Sequence, residues 1–456
     1  MARGESPDAE SKALESDATE VGQEFIAPAL PRSRIATALR ALRHRNFQLF
    51  FAGQLISLVG TWMQTVAQSW LVYKITGSTL LLGTVGFASQ IPVFLVAPLG
   101  GAVADRANRR RVVIATQAAS MVLAFVLAVL TLTHRIQVWQ IMVLAAGLGT
   151  VNAFDIPARQ AFLMDMVGRE DLMNAIALNS SMFNGARIVG PAVAGIVVAW
   201  VGEGWCFFAN AVSYIAVIAG LLMMKIEHPV KVNIEGSPFE HILEGVRFVS
   251  KALPLRALLL LLGVVSLVGM PYSVLMPVFA SQILHGGVRE LGWLMGATGV
   301  GALLGALSLA ARAGVKGLSK LIAVCAAGVG PSLIRVAASK MFGLSLLLLL
   351  PVGFTMMVQM ASTNTLLQSM VPDQMRGRVV SLYTMMFMGV APFGAFFAGA
   401  VANRIGAPWT VAVGGVTCVV GAGVFGLILP KVRAEARELV LAQGLVGGAH
   451  AKDITR

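Results

Sequence analysis

The sequence predicts an all-α membrane protein whose twelve transmembrane helices form two six-helix repeats, and three observations predict it. Hydrophobic residues make up 57% of the 456 and charged residues only 12%, whereas a soluble chain carries about 25% charge. Mean hydropathy is +0.77, and the apolar residues come in runs of the roughly 20 needed to cross a ~30 Å hydrocarbon core. Stretches of the second half also repeat stretches of the first in corresponding places. Such a composition excludes a soluble enzyme, a secreted disulfide scaffold and a disordered chain.

Residues 1–35 carry Glu5, Asp8, Glu10, Glu15, Asp17, Glu20 and Glu24 with no long apolar run, the composition of a disordered cytoplasmic tail. No charged-then-apolar signal peptide is present. Arg40, Arg43 and Arg45 precede the first long apolar segment as a cationic anchor. Spans are expected at about 47–73, 79–104, 112–133, 137–163, 172–200 and 205–224, giving an N-terminal six-helix bundle over 36–225. A linker over 226–253 follows, broken by Pro229 and Gly236-Ser237-Pro238. Its second part places Phe239, Ile242, Leu243, Val246 and Val249 on one helical face and Glu240, His241, Glu244, Arg247 and Lys251 on others. That pattern predicts a short helix lying on the membrane surface. A second six-helix bundle over 254–430 has spans at about 255–283, 289–312, 317–338, 343–370, 376–403 and 409–430, followed by a cytoplasmic tail over 431–456.

An even number of spans puts both termini on one side. Arg106, Arg109, Arg110 and Arg111, then Arg169, then Lys225, Lys231, Arg247 and Lys251, then Arg312, Lys316 and Lys320 fall in alternate connections. The intervening ones hold isolated cations such as Lys74, Arg135, Arg289 and Arg404. By the positive-inside bias the termini are cytoplasmic. The same parcelling explains the net charge of +13 without a nucleic-acid partner, because no solvated basic face with interleaved aromatics exists. Cys206, Cys325 and Cys418 each lie alone in an apolar run and read as buried hydrophobes.

The halves resemble each other. The stretch MVGREDLMNAIALNSSMFNGARIVGPAVAG from Met166 aligns without a gap to MVPDQMRGRVVSLYTMMFMGVAPFGAFFAG from Met370. Ser57-Leu58-Val59-Gly60 in the first span recurs as Ser266-Leu267-Val268-Gly269 in the seventh. Two matches at similar offsets argue for a duplicated six-span unit, an architecture in which a substrate site lies between the halves near the midplane.

Charges inside the bilayer are few: Asp155 and Arg159 in the fourth span, with Pro157 between them, and Arg187 deep in the fifth. If these spans turn back near Gly168–Asp171, Asp155 and Arg187 lie at nearly equal depth, so Asp155 is expected to pair with Arg187 or Arg159. Such a pair is either a structural clamp or a site of proton coupling or anion binding. Gln54, Ser57, Thr61, Gln64 (or Thr65) and Gln68 form a polar stripe on the first span, and Thr355, Gln359 and Ser362 another on the tenth. Such stripes either bond a neighbouring helix or line a wet cavity, and the second option makes these residues cavity candidates. Met356, Met357, Met360, Met385, Met386 and Met388 cluster in the tenth and eleventh spans, as loose apolar recognition or ordinary core filling would have it. The six histidines fall at span ends, loops or tails, so no metal site or intramembrane histidine relay is expected. No GxxxxGK[ST] occurs, which excludes a phosphate-binding loop for ATP. No cofactor is expected.

Between the second and third spans lies Gly101-Ala-Val-Ala-Asp105-Arg106-Ala-Asn108-Arg109-Arg110. This resembles the signature of the major facilitator superfamily, with Asn108 where the family has its second Gly. Asn substitutes best for Gly in a left-handed turn. The resemblance covers residues 40 to about 430 and implies that this loop binds the two halves together on the cytoplasmic side when the cavity faces outward. Asp105 should then face Arg376 and Arg378 at the start of the eleventh span. Ala186-Arg187-Ile-Val-Gly190-Pro191-Ala-Val-Ala194-Gly195 is similar to the family's antiporter motif, which marks exporters; plain helix packing is the other reading of these small residues. The first span and FDIPARQAF in the fourth resemble the bacterial branch that holds enterobactin-type siderophore exporters and macrolide efflux proteins. That resemblance implies a monomeric, proton-driven exporter of small amphipathic molecules in the bacterial inner membrane, with lipids as its surroundings. An importer or lysophospholipid flippase on the same scaffold is the alternative, and an intramembrane enzyme would need a nucleophile–base set that the sequence lacks.

Overall fold

The computed structural model describes residues 39–225, 238–312, 314–315 and 317–447. The expected N-terminal tail, the first part of the expected linker (226–237) and the end of the expected C-terminal tail (448–456) lie outside the described residues. No strand occurs among those described. The helices are α1 (Arg45–Thr76), α2 (Thr79–Arg106), α3 (Arg109–Leu132), α4 (Val138–Val201), α5 (Glu203–Met223), α6 (Pro238–Lys251), α7 (Leu253–Ile283), α8 (Val288–Ala310), α9 (Leu318–Ala338), α10 (Phe342–Met370), α11 (Gln374–Ile405) and α12 (Ala407–Gly447).

Eleven of the described helices are long and apolar enough to cross a bilayer. One of them, α4, counts 64 residues, about 96 Å at the α-helical rise and some three times what one crossing needs. Gly168 divides it: its φ of 71° lies in the left-handed region that only glycine enters freely. The result is a first arm (138–167) and a second arm (169–201), so α4 crosses twice and the bundle has twelve crossings. Side chains fasten this turn, since Asp171 forms an ion pair with Arg40, Nε to Oδ1 at 2.6 Å, and its Oδ2 lies 2.8 Å from His44 Nε2.

The face carrying the Gly168 turn, the α2–α3 loop and α6 is called the linker side here, and the opposite one the far side. α6 packs against the start of α11, where Glu244 pairs with Arg378 and Gly245 lies against Arg378 and Leu382. The last helix runs on past Pro430 to Gly447, where the sequence suggested a tail from 431. The reason is a continued apolar face: Val432 and Ala436 are buried in one cluster with Val249 and Leu255.

The internal duplication reappears as duplicated packing. Gly292 of α8 fits against Pro191 O and Gly195 of the second α4 arm, and Gly83 of α2 fits against Ala395 O and Gly399 of α11. Those partners are the residues matched in the two aligned stretches. Likewise Gly190 lies against Val59 and Trp62 of α1, and Gly394 against Leu267 and Pro271 of α7. A Cβ at any of these glycines would meet backbone or ring atoms, so the close approach of the helices requires them. The copies differ in regularity. α7 contains π turns at Val265–Gly269 and Phe279–Ile283 around a 3-10 stretch with Pro271, and α11 has a π turn at Met385–Gly389, whereas α1 is regular.

Candidate functional site

The two halves meet on the far side and part on the linker side. Along α2, positions eighteen apart share a helix face. Gly83, Phe87 and Phe94 pack on Ala395, Phe393 and Phe396 of α11, but Gly101 has nothing within 4 Å of its Cβ position. Asp105, on the same face, makes no hydrogen bond or ion pair among the described residues. Thr79 Oγ1 donates to Gly399 O at 3.1 Å across the far-side seam. In the second pair Gly195 touches Arg289 and Gly292, and Ile188 of the same arm touches Gly299.

Between the halves lies a cavity of about 470 Å³. α1, α2 and both arms of α4 form most of its wall, and α7, α8 and α11 contribute Tyr272, Met295 and Met388. Thr61, Gln64 and Gln68 of the predicted stripe line it. Gln54 and Ser57, one to two turns lower, are buried in helix packing outside it. Thr355 and Gln359 are also outside. Thr355 donates to its own helix at Pro351 O (2.7 Å) and its methyl faces Gly328, so the α10 stripe points at α9 rather than at the cavity. Gln359 is fully buried with neither amide atom partnered. Of the six clustered methionines only Met388 reaches the cavity. Gln90, Asn152 and Tyr272 line it too and were not singled out from sequence. The available signal for the first two was an amide inside an apolar span.

Asp155 takes the nearer of its two expected partners. Arg159 Nε lies 3.2 Å from its Oδ2, while Thr116 Oγ1 and Gln117 Nε2 donate to Oδ1 at 2.8 and 2.9 Å. The carboxylate thus faces α3, and one helical turn suffices to reach Arg159. Arg187 lies elsewhere, with its guanidinium 5.7 Å from the Trp62 ring centre on the cavity wall. Asp165 is a second buried acid, which was not singled out from sequence. It pairs with Arg109 Nη1 at 2.9 Å, both side chains less than a tenth exposed.

The α2–α3 loop is held mostly within its own half. Arg110 donates to Leu221 O and Leu222 O, closing the end of α5. Asn108 is not left-handed as its place in the motif suggested; at φ −68° it caps α3 by accepting from Arg111 N. Arg106 is exposed. Arg378, one of the two arginines Asp105 was expected to face, pairs with Glu244 of α6 instead. The resemblance gave the Asp105 contact to the outward-facing state, and this structure is open on the linker side. Gly190, Pro191 and Gly195 lie in the helix packing described above, on α1 and on α8, with Pro191 also touching the cavity.

Two pseudo-equivalent six-crossing bundles around one central cavity, sealed at one face and parted at the other, define a multi-pass carrier of the major facilitator superfamily, a class of transporters and not enzymes. Within that superfamily the chain belongs to the transmembrane secretion effector family, which matches residues 36–443. It is 24% identical to the staphyloferrin A transporter of Staphylococcus aureus, over 85% of this chain and 98% of that protein. It is 29% identical to the multidrug efflux pump Tap of Mycolicibacterium fortuitum, over 82% and 93%. It is 26% identical to the enterobactin exporter EntS of Salmonella typhimurium, over 86% and 94%. A solved bacterial homologue of the human lysosomal transporter Spinster superposes with a TM-score of 0.61 at 14% identity, covering 87% of this chain and 97% of that one.

Proposed function

We propose that this transporter exports small amphipathic compounds of the drug or siderophore type from the bacterial cytoplasm, and that a proton gradient drives it. The observation that carries the reading is the cavity itself. Its wall mixes Gln64, Gln68, Gln90 and Asn152 with Trp62, Val66, Leu82 and Met295, so it offers hydrogen bonds and apolar surface together. The efflux names of Tap and EntS support the outward direction. The linker side is taken as cytoplasmic because Arg106, Arg109–Arg111 and Arg169 cluster there, while the far side has isolated cations. Cargo then enters from the cytoplasm in the state seen here and leaves after the far-side seam opens. Asp155 and Asp165, buried and each held by an arginine, are the carboxylates that a proton could discharge.

The test is accumulation of dyes, macrolides and catechol siderophores in cells with and without the protein, repeated with a protonophore. Lower accumulation that the protonophore abolishes is expected. Export that survives the protonophore would sink the coupling, and raised accumulation would reverse the direction.

A further inference from the structure

Among the described residues Arg187 is the sole charged one in the cavity wall. Asp155, the acid its depth in the sequence offered as a partner, is committed to Arg159, Thr116 and Gln117. Among the described residues Arg187 makes no ion pair; its guanidinium lies over the face of Trp62 and close enough to Tyr272 to interact with it electrostatically. A cation taken from water without a counter-ion is costly, and a ring face offsets only part of that cost. Proteins retain such a charge inside a bilayer where something else brings the opposite sign. The same cavity offers neutral polar groups that orient rather than neutralise, among them Gln64, Gln90, Asn152 and the Tyr272 hydroxyl.

Resting on the transport reading above, we infer that the cargo is an organic anion whose acidic group docks on Arg187, its apolar body lying along Trp62 and Met295. A guanidinium fits a carboxylate, phosphate or similar oxyanion through paired N–H donors, which a lysine ammonium does not reproduce. Cationic amphiphiles, common cargo of multidrug pumps, are disfavoured by the same charge. The unpaired arginine also explains why the cavity needs no acid of its own.

Fluorescein and rhodamine 123 share a xanthene body and carry opposite charge. Binding of each to the purified full chain in phosphatidylcholine nanodiscs is measured by anisotropy, and movement in proteoliposomes separately. Wild type is expected to bind fluorescein about tenfold or more tightly than rhodamine 123, a gap that Arg187→Gln closes and Arg187→Lys narrows. Thermal melting confirms that both variants fold. Preference of the wild type for rhodamine 123, or fluorescein binding unchanged in Arg187→Gln, overturns the inference. Arg187-dependent binding without movement across vesicles leaves the anion site standing and removes the transport reading; movement of rhodamine 123 indifferent to Arg187 does the reverse. Displacement of fluorescein by lysophosphatidylglycerol or by salicylate supports the site and tells a lipid anion from a soluble one.

Discussion

At the residue scale, the interior charges divide into paired and unpaired, and the division predicts different phenotypes. Asp155 is 3% exposed and holds three donors. Asp155→Ala leaves Arg159 without its counter-ion and is expected to cost about 3 kcal/mol, read as a lowered melting temperature in detergent. Unchanged melting would show that the pair contributes nothing to the fold. Gln359 is the opposite case, fully buried with both amide atoms unpartnered. Removing such a group in favour of an apolar one of the same shape is neutral or stabilising, so Gln359→Met is expected to hold or raise the melting temperature; a marked loss would mean that a partner exists. The sequence singled out Asp155, Arg159 and Arg187, because a charge in an apolar span is conspicuous, and passed over the buried Asp165–Arg109 pair, which lies at the ends of its spans. It left open which of them pair, since equal depth along two antiparallel crossings says nothing about rotation around either axis. Arg187 and Asp155 face different neighbours.

At the scale of elements, glycines decide where helices touch. A Cβ at Gly292 would press on Pro191 O and stand 3.0 Å from Gly195 Cα. Gly292→Val is therefore expected to spread α8 from the second α4 arm and shift molecules toward a state open on the far side. The measurement is labelling of a Gln68→Cys reporter by an impermeant maleimide added from that side, which should rise; labelling equal to that of the glycine parent would contradict the seam assignment. The crossings themselves were legible from apolar runs and cationic loops, and the linker helix from its amphipathic pattern. The stripe on α10 was not legible as to direction. Helical periodicity marks which residues share a face, not which neighbour the face meets, and here it meets α9. The π turns of α7 and α11 also left no sequence signal beyond Pro271 and Pro277.

At the scale of the whole molecule, the duplicated sequence stretches become duplicated contacts, and those contacts place both inter-half seams on the far side. The two repeats are joined along α2–α11 and α4–α8, around a cavity that a rocking of one repeat on the other would expose to each face in turn. Maleimide labelling of single cysteines in intact cells is expected to leave the α2–α3 loop unlabelled and to reach the loop at 133–137, as a cytoplasmic linker side requires; the reverse pattern would invert the proposed direction of transport.

Alternation between two open faces is the claim on which the rest depends, and a cross-link tests it most directly. A Cβ at Gly86 would stand 3.2 Å from the Ala395 Cβ, close to the ~3.5–4.5 Å of a disulfide, and the native Cys206, Cys325 and Cys418 are free and buried, to be replaced by alanine for the experiment. In a Gly86→Cys/Ala395→Cys chain carrying those replacements, oxidation is expected to fix the far-side seam and bring transport to background, with recovery on reduction. Full transport while the cross-link is intact would contradict the account.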